Sequence, residues 1–289
     1  CEFHVTIKKT NNYLMKRFIL SLVLVTLISI GNAQEVSFKL KPKAGSQVSY
    51  TMTVDGKMTQ SMMGQEMTMT TKSEGSQVVS FTKINSDGSV QYNEKTVIDF
   101  VKISSAAMDT TMNPGEEGIE DYATVVDKLG NVLSKKSLKT QSKSAGMGSM
   151  LGGINGSSAF IVIPDGKINV GGSWTTDRTD TVEFMGGALV NTTASEYTFV
   201  GEVKKGSTKC YEMKIVSNIS SEGSTSMQGM EFQIEGTGKI VGTVWVEVKT
   251  GVIFEEEGVN NTQLTLALSG PQSMTIPIVQ EMKVSRVRK

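Results

Sequence analysis

From Gln34 onward, polar and apolar residues alternate with a period of two along most of the chain. No other feature constrains the fold as much, because only in a strand do successive side chains point to opposite faces. In QVSYTMTV, Val48, Tyr50, Met52 and Val54 fall on one face, and Gln47, Ser49, Thr51 and Thr53 on the other. SVQYNEKTVIDF groups Val90, Tyr92, Ile98 and Phe100, and MEFQIE opposes Met230, Phe232 and Ile234 to Glu231, Gln233 and Glu235. The same rule groups Tyr211, Met213 and Ile215, then Leu264, Leu266 and Leu268, then Met274, Ile276, Ile278, Met282 and Val284. Asp87-Gly88, Leu129-Gly130-Asn131, Asp165-Gly166 and Thr250-Gly251 punctuate these runs as turns. The pattern predicts an all-β fold: a curved antiparallel sheet or open half barrel of local hairpins. Two similar lobes, about 34–136 and 173–289, would be joined by residues 137–172 within a single domain.

One stretch breaks the alternation. In SLKTQSKSAGMGSMLGGINGSS (137–158), glycine and serine are dense, and Met147, Met150, Leu151 and Ile154 recur at helical spacing. A short helix in a long loop is expected there, although each glycine weakens a helix by about 1 kcal/mol relative to alanine.

The first methionine is Met15, and MKRFILSLVLVTLISIGNAQ has the three parts of a secretory signal. These are basic Lys16 and Arg17, an apolar run from Phe18 to Ile30, and small residues at Gly31 and Ala33. Residues 1–14 read as a non-native upstream extension, 15–33 as the signal peptide, and cleavage is expected after Ala33. The apolar run is shorter than the roughly 20 residues a membrane helix needs, and Gln34 offers no lipid attachment point. An exported protein without a transmembrane anchor is expected, in the periplasm, at the cell envelope or outside the cell.

Cleavage changes the available chemistry. It removes His4 and Cys1, the sole histidine and one of two cysteines, leaving 256 residues with Cys210 as the only thiol. Imidazole-based catalysis and histidine metal sites are therefore excluded, and no internal disulfide can form. Stability must come from a core that a chain of this length can build. The leader also carries Lys8, Lys9, Lys16 and Arg17 against Glu2, so of 29 basic and 29 acidic residues 25 and 28 remain. A slightly acidic chain argues against a nucleic-acid partner. Cys210 alternates with Glu212 and Lys214 on the polar side of its strand and has no imidazole to activate it. Carboxylates cluster at Glu116, Glu117, Glu120 and Asp121 and at Glu255, Glu256 and Glu257, where solvated loops are expected. No catalytic residue is assigned.

The methionines raise the functional question. SMMGQEMTMTT (61–71) holds four, preceded by Met52 and Met58, and SMMGQEM is echoed by SMQGMEF at 226–232. Thioethers fill cores, line adaptable apolar cavities, or bind cuprous copper. The residues alone leave these alternatives open, though the sulfurs are spread along strands with no histidine or cysteine nearby, so no metal or cofactor is expected. If the face is a cavity wall, Met63, Met67, Met69, Met230 and Phe232 are its candidate ligand-binding residues.

GNAQ, GSQVSYTMTV, MMGQEMTMT and IPDGKINVGGSW together resemble a family of uncharacterised exported proteins common in Bacteroidota. In that family a proline, a short turn, a Val-x-Val-Gly-like step and a tryptophan precede the second lobe. The corresponding residues are Pro164, Asp165 to Lys167, Ile168, Val170, Gly171 and Trp174, and Gly172 departs where a polar or acidic residue is usual. The family implies no activity and no functional residues. The architecture is also distantly similar to outer-membrane lipoprotein carriers, half barrels that wrap an apolar cavity. The resulting expectation is a non-catalytic protein that binds an apolar or amphipathic ligand, such as a lipid. The alternative is a structural or interaction module of the cell envelope that meets another protein and holds no small molecule. The sequence does not specify the oligomeric state.

Overall fold

The computed structural model describes residues 35–62, 64–139, 158–184, 187–227, 230–268 and 273–289. The signal segment, the expected helix of the central insertion, and Met63 lie outside them. A strand pair, β1 (Val36–Ser37) with β8 (Lys167–Ile168), stands beside one large antiparallel sheet. The first half of the chain supplies β2 (Gln47–Met62), β3 (Gln65–Ile84), β4 (Val90–Ser105), β5 (Asp109–Met112), β6 (Ile119–Val126) and β7 (Val132–Ser137), with one 3-10 turn at Gly115–Gly118. The second half supplies β9 (Ser173–Phe184), β10 (Gly187–Lys205), β11 (Thr208–Met227), β12 (Met230–Glu247), β13 (Ile253–Leu268) and β14 (Met274–Arg288).

The sheet order is β7-β6-β4-β3-β2-β14-β13-β12-β11-β10-β9, with β5 hydrogen-bonded to β4. Almost every neighbour is a sequence neighbour, as local hairpins require. The exception is the junction of β2 with β14, where Ile278 to Arg288 pair with Gln60 to Tyr50 and weld the halves into a single sheet. The sheet is curved and not closed into a barrel: β7 and β9 are its two edges. Strands of 16–20 residues make it about 50–65 Å long.

The alternation translates directly into two faces. Cross-strand partners share a face, so the register tracks one row of side chains across the sheet. Tyr197, Ile215, Gly242, Gly258, Val284, Val54, Ser73 and Val101 form such a row, running from β10 to β4. This face carries the buried residues, and the opposite one is threonine, serine, lysine and glutamate. Phe100 departs from the alternation. A register shift at Glu74/Gly75 pairs Gly75 with Ile98 but Glu74 with Phe100, so Asp99 is the extra residue and Val101 takes the inward position. Val101 is fully buried, whereas Phe100 is only half-buried.

Glycine sets the curvature. A Cβ at Gly75 would lie 2.5 Å from the carbonyl oxygen of Val97, and one at Gly236 would lie 2.7 Å from that of Gln263. At Gly223 and Gly242 it would strike the carbonyls of Ala188 and Glu257. All four are on the buried face, so the strands bend towards that side at positions where no side chain stands in the way. The buried face is the concave one.

The end of the sheet that carries the β3–β4 and β12–β13 turns holds the main core. Two segments outside the large sheet fill its concavity. Phe38 packs edge-on against Phe199 and Tyr211 (centroids 5.4 and 4.9 Å) and beside Trp174, while Phe160 packs between Phe81 and Tyr92. Trp174 stacks on Tyr197 and donates Nε1–H to the carbonyl of Val162 at 2.9 Å. Thus the conspicuous IPDGKINVGGSW run forms a structural corner. Gly172 fits there because a Cβ would lie 2.6 Å from Ile168 Cγ1.

Candidate ligand-binding face

Towards the opposite end, which carries the β2–β3, β11–β12 and β13–β14 turns, the concave face changes character in successive rows. Phe232 and Leu268 stand opposite each other, followed by Leu189, Gly223, Ile234, Leu266 and Ile276, then Asn191, Ser221, Gly236, Leu264 and Ile278. Leu189, Phe232, Ile234, Leu264, Leu266, Ile276 and Ile278 form a second apolar cluster, with Met58, Leu268 and Met274 packed against it. Every member belongs to a strand of the large sheet. This separates it from the main core, which is filled by the segments bearing Phe38 and Phe160. The aliphatic residues are there because the alternation continues to the strand tips, further than the main core reaches.

The candidate wall residues fall at this end. Phe232 is a buried member of the apolar cluster, 2% exposed. The register pairs Met67 with Gln60 and Met69 with Met58, so the turn after Met62 brings even residues of β2 and odd residues of β3 to the concave face. Met67 shares the row of Ile278 and Leu264, Met69 lies one row deeper, and Met67 is 48% exposed at the margin. Three strands separate β3 from β12, about 19 Å at ordinary strand spacing. The structure therefore puts Met67, Met69 and Phe232 on one face without bringing them into one contact cluster. Met230 opens β12 opposite Met227, and Met63 lies outside the described residues. The two Ser-Met-x-Gly-x-Glu segments span the β2–β3 and β11–β12 turns, both at this end. By contrast Met52, Met213 and Met282 are buried core.

From the Leu264–Ile278 row inward, serine, threonine and asparagine enter the concave face of β10 to β13, while β9 sets Asp180 opposite Asn191 and Arg178 opposite Thr193. Ser221 donates to Asn191 Oδ1 (2.6 Å), the hydroxyls of Ser195 and Ser217 meet at 2.8 Å, and Thr262 donates to Asn260 Oδ1 (3.0 Å). Ser217 and Ser221 are buried. Composition conceals this belt, since serine and threonine abound on both faces. The register would have exposed it, as would the parity of Asn191, Ser195, Ser217 and Ser221 relative to Tyr197 and Met213.

Charge on this face is concentrated nearer the main core. Arg286, fully buried, lies with Nε 3.0 Å from Glu256, donates Nη1–H to Gln77 Oε1 (2.8 Å) and Nη2–H to the Ser158 carbonyl (3.0 Å), and covers the ring of Tyr50. Near the β7 edge, Lys135 pairs with buried Glu94 at 2.7 Å. Burial pushes the Glu120 carboxyl above its ordinary range, although Lys135 draws it down. The acidic run at Glu255–Glu257 is strand and not loop: Glu255 pairs with Lys205 at 2.9 Å and Glu256 with Arg286. Cys210 is buried, and burial pushes its thiol up to about 11, which withdraws the thiolate.

Two grooves occur on the convex face. One, of about 440 Å³, is lined by Lys57, Lys72, Lys102 and Lys283 among Asp55 and Glu281, and the other, of about 360 Å³, lies between Glu222 and Glu235. Their linings are polar, unlike the expected apolar site. The outward residues of β2 are Gln47, Ser49, Thr51, Thr53, Asp55, Lys57, Thr59 and Ser61, whereas β10, β12 and β14 turn Val190, Val241, Val279 and Val287 outward.

No family model matches the chain, and no curated protein matches it. Among solved structures, the crystal structure of Pseudomonas aeruginosa OccK8 (OprE) is similar at a TM-score of 0.20 and 9% identity, covering 88% of this chain and 100% of that one. A likeness this slight bears on neither fold nor function.

Proposed function

We propose that the protein is an exported, non-catalytic binder of an apolar or amphipathic ligand, held on the concave face at the methionine-bearing end of the sheet. The observation that carries this reading is the second apolar cluster, built wholly from strand residues and set apart from the core that the chain fills with its own segments. An aliphatic surface kept from water beside flexible thioethers suits an apolar guest of variable shape. The test is mass spectrometry of organic extracts from residues 34–289, purified without detergent from a periplasmic preparation, against a control protein handled identically. A stoichiometric apolar molecule is expected. A clean, stable protein that takes up no lipid when offered one refutes the reading.

A second reading, an interaction module of the envelope, draws on the β7 edge. Val132, Leu133 and the following Leu138 are 42%, 62% and 51% exposed beside that edge, which pairs with no further strand among the described residues and is where another strand would add. In-cell crosslinking from position 133 would recover a defined partner under this reading and none under the first.

A further inference from the structure

We infer that the ligand is an uncharged amphiphile, its apolar part on the Leu189–Ile234–Leu266–Ile276 row and a hydroxyl- or amide-bearing head on the adjoining polar belt. This rests on the carrier reading proposed above and adds the chemistry of the head. The belt consists of Asn191, Ser195, Ser217, Ser221, Asn260 and Thr262: Asn191 and Ser221 share the row of Leu264 and Ile278, and the next two rows hold Thr262, then Ser195, Ser217 and Asn260, with Ile219 and Ile240 among them. Gly236 and Gly238 lie between them, where a Cβ would meet the Leu264 side chain and the Thr262 hydroxyl.

Three observations define the head. First, no side chain on the concave face of β10 to β13 between the Leu189 row and the Ser217 row is ionisable, so a charged head would be buried with no counter-charge, at a cost of several kcal/mol. Secondly, the nearest charges on the β9 edge, Arg178 and Asp180, are paired with each other at 2.5 Å. Thirdly, the belt retains hydrogen-bonding capacity: Asn191 and Asn260 accept through Oδ1, and their amide N–H groups are left to donate. Apolar rows followed by neutral donors and acceptors complement a molecule such as an acylglycerol more closely than a fatty acid, a phospholipid or an alkylammonium.

The test uses residues 34–289 loaded with a fluorescent apolar dye and titrated, below micellar concentrations, with three sixteen-carbon competitors: monopalmitoylglycerol, palmitate and hexadecyltrimethylammonium. Monopalmitoylglycerol is expected to displace the dye at a concentration at least tenfold lower than either ion. Equal or better displacement by either ion overturns the inference while leaving the carrier reading intact. A protein that binds neither dye nor any competitor overturns the carrier reading, and the inference with it. Asn191→Asp, nearly isosteric, should weaken monopalmitoylglycerol at least tenfold with an unchanged circular dichroism spectrum. Unchanged affinity in that folded variant also overturns the assignment of the head to this belt.

Discussion

Replacing Arg286 by methionine tests whether the two halves of the sheet are clasped through one buried side chain. Arg286 sits on β14, at the weld. Its partners Gln77 on β3 and Ser158 in the segment entering the core lie 209 and 128 residues away in sequence. Methionine preserves most of the stem volume, so the loss isolates the guanidinium. Each hydrogen bond from a charged donor is worth about 1.5–3 kcal/mol, and breaking a buried ion pair costs about 3–5 kcal/mol in total. The Glu256 side chain is 25% exposed, so water screens part of its loss and the lower half of that range applies, about 3–4 kcal/mol. For a chain of this size that is roughly 6–16 °C in Tm. The assay is urea unfolding followed by tryptophan fluorescence, in a cycle with Glu256→Gln. Once the cation is gone the glutamate is a stranded charge, so adding Glu256→Gln to Arg286→Met should cost less than it does alone, with a coupling of about 1–2 kcal/mol. A loss under 1 kcal/mol for Arg286→Met, or strictly additive singles, would refute the clasp.

Three further outcomes follow from the same packing. Gly242→Ala should destabilise by about 2 kcal/mol in the same urea assay, because its Cβ would strike the Glu257 carbonyl; alanine in an uncrowded strand would instead gain about 0.5–1 kcal/mol over glycine, so the sign of the change decides. Burial raises Tyr50, Tyr92 and Tyr197 to about 12. Since the unfolded chain ionises tyrosine near 10, their contribution is complete below pH 10 and disappears between 10 and 12, which a 295 nm titration should show as delayed, cooperative ionisation. Glu120 also has a raised folded-state pKa, so the folded state binds the extra proton and stability falls as pH rises through and above the ordinary carboxylate range. Glu120→Gln should therefore be more stable than the parent at pH 7.5, with the difference shrinking at pH 4.

Period-two alternation was enough to read the strands, their inward faces and the antiparallel class. It assigned Tyr50, Met52, Val54, Met213, Ile234, Leu266 and Ile278 to the side where they are buried. It failed at Phe100, because a bulge is a property of two strands in register and leaves no mark in one of them. Nor does parity carry through the β2–β3 turn: Met58 and Met69, of opposite parity, stand opposite each other on the concave face. Arg286 follows Met282 and Val284 at the same parity, and only Glu256 and Gln77, remote in sequence, make an arginine tolerable there. The same holds for Glu255 to Glu257, which look like a solvated acidic loop until Lys205 and Arg286 are placed against them.

The division of the concave face into two apolar zones bears on what the second zone is for. A sheet about 50–65 Å long needs burial only where something packs against it, and here Phe38, Phe160 and their neighbours pack at one end. If stability were the sole requirement, the strands beyond that core would lose nothing by turning polar on both faces, as they already do on the convex side. Instead Leu189, Phe232, Ile234, Leu266 and Ile276 keep the concave side aliphatic to the last turn. The intervening rows meanwhile give up side chains altogether at Gly236, Gly238, Gly242 and Gly258, at about 0.5–1 kcal/mol each against alanine. Under the carrier reading proposed above, the glycines that deepen the curve and the apolar residues that line its far end serve one purpose, to receive a guest. The neutral amide and hydroxyl groups set between them would, on that reading, supply the polar contacts.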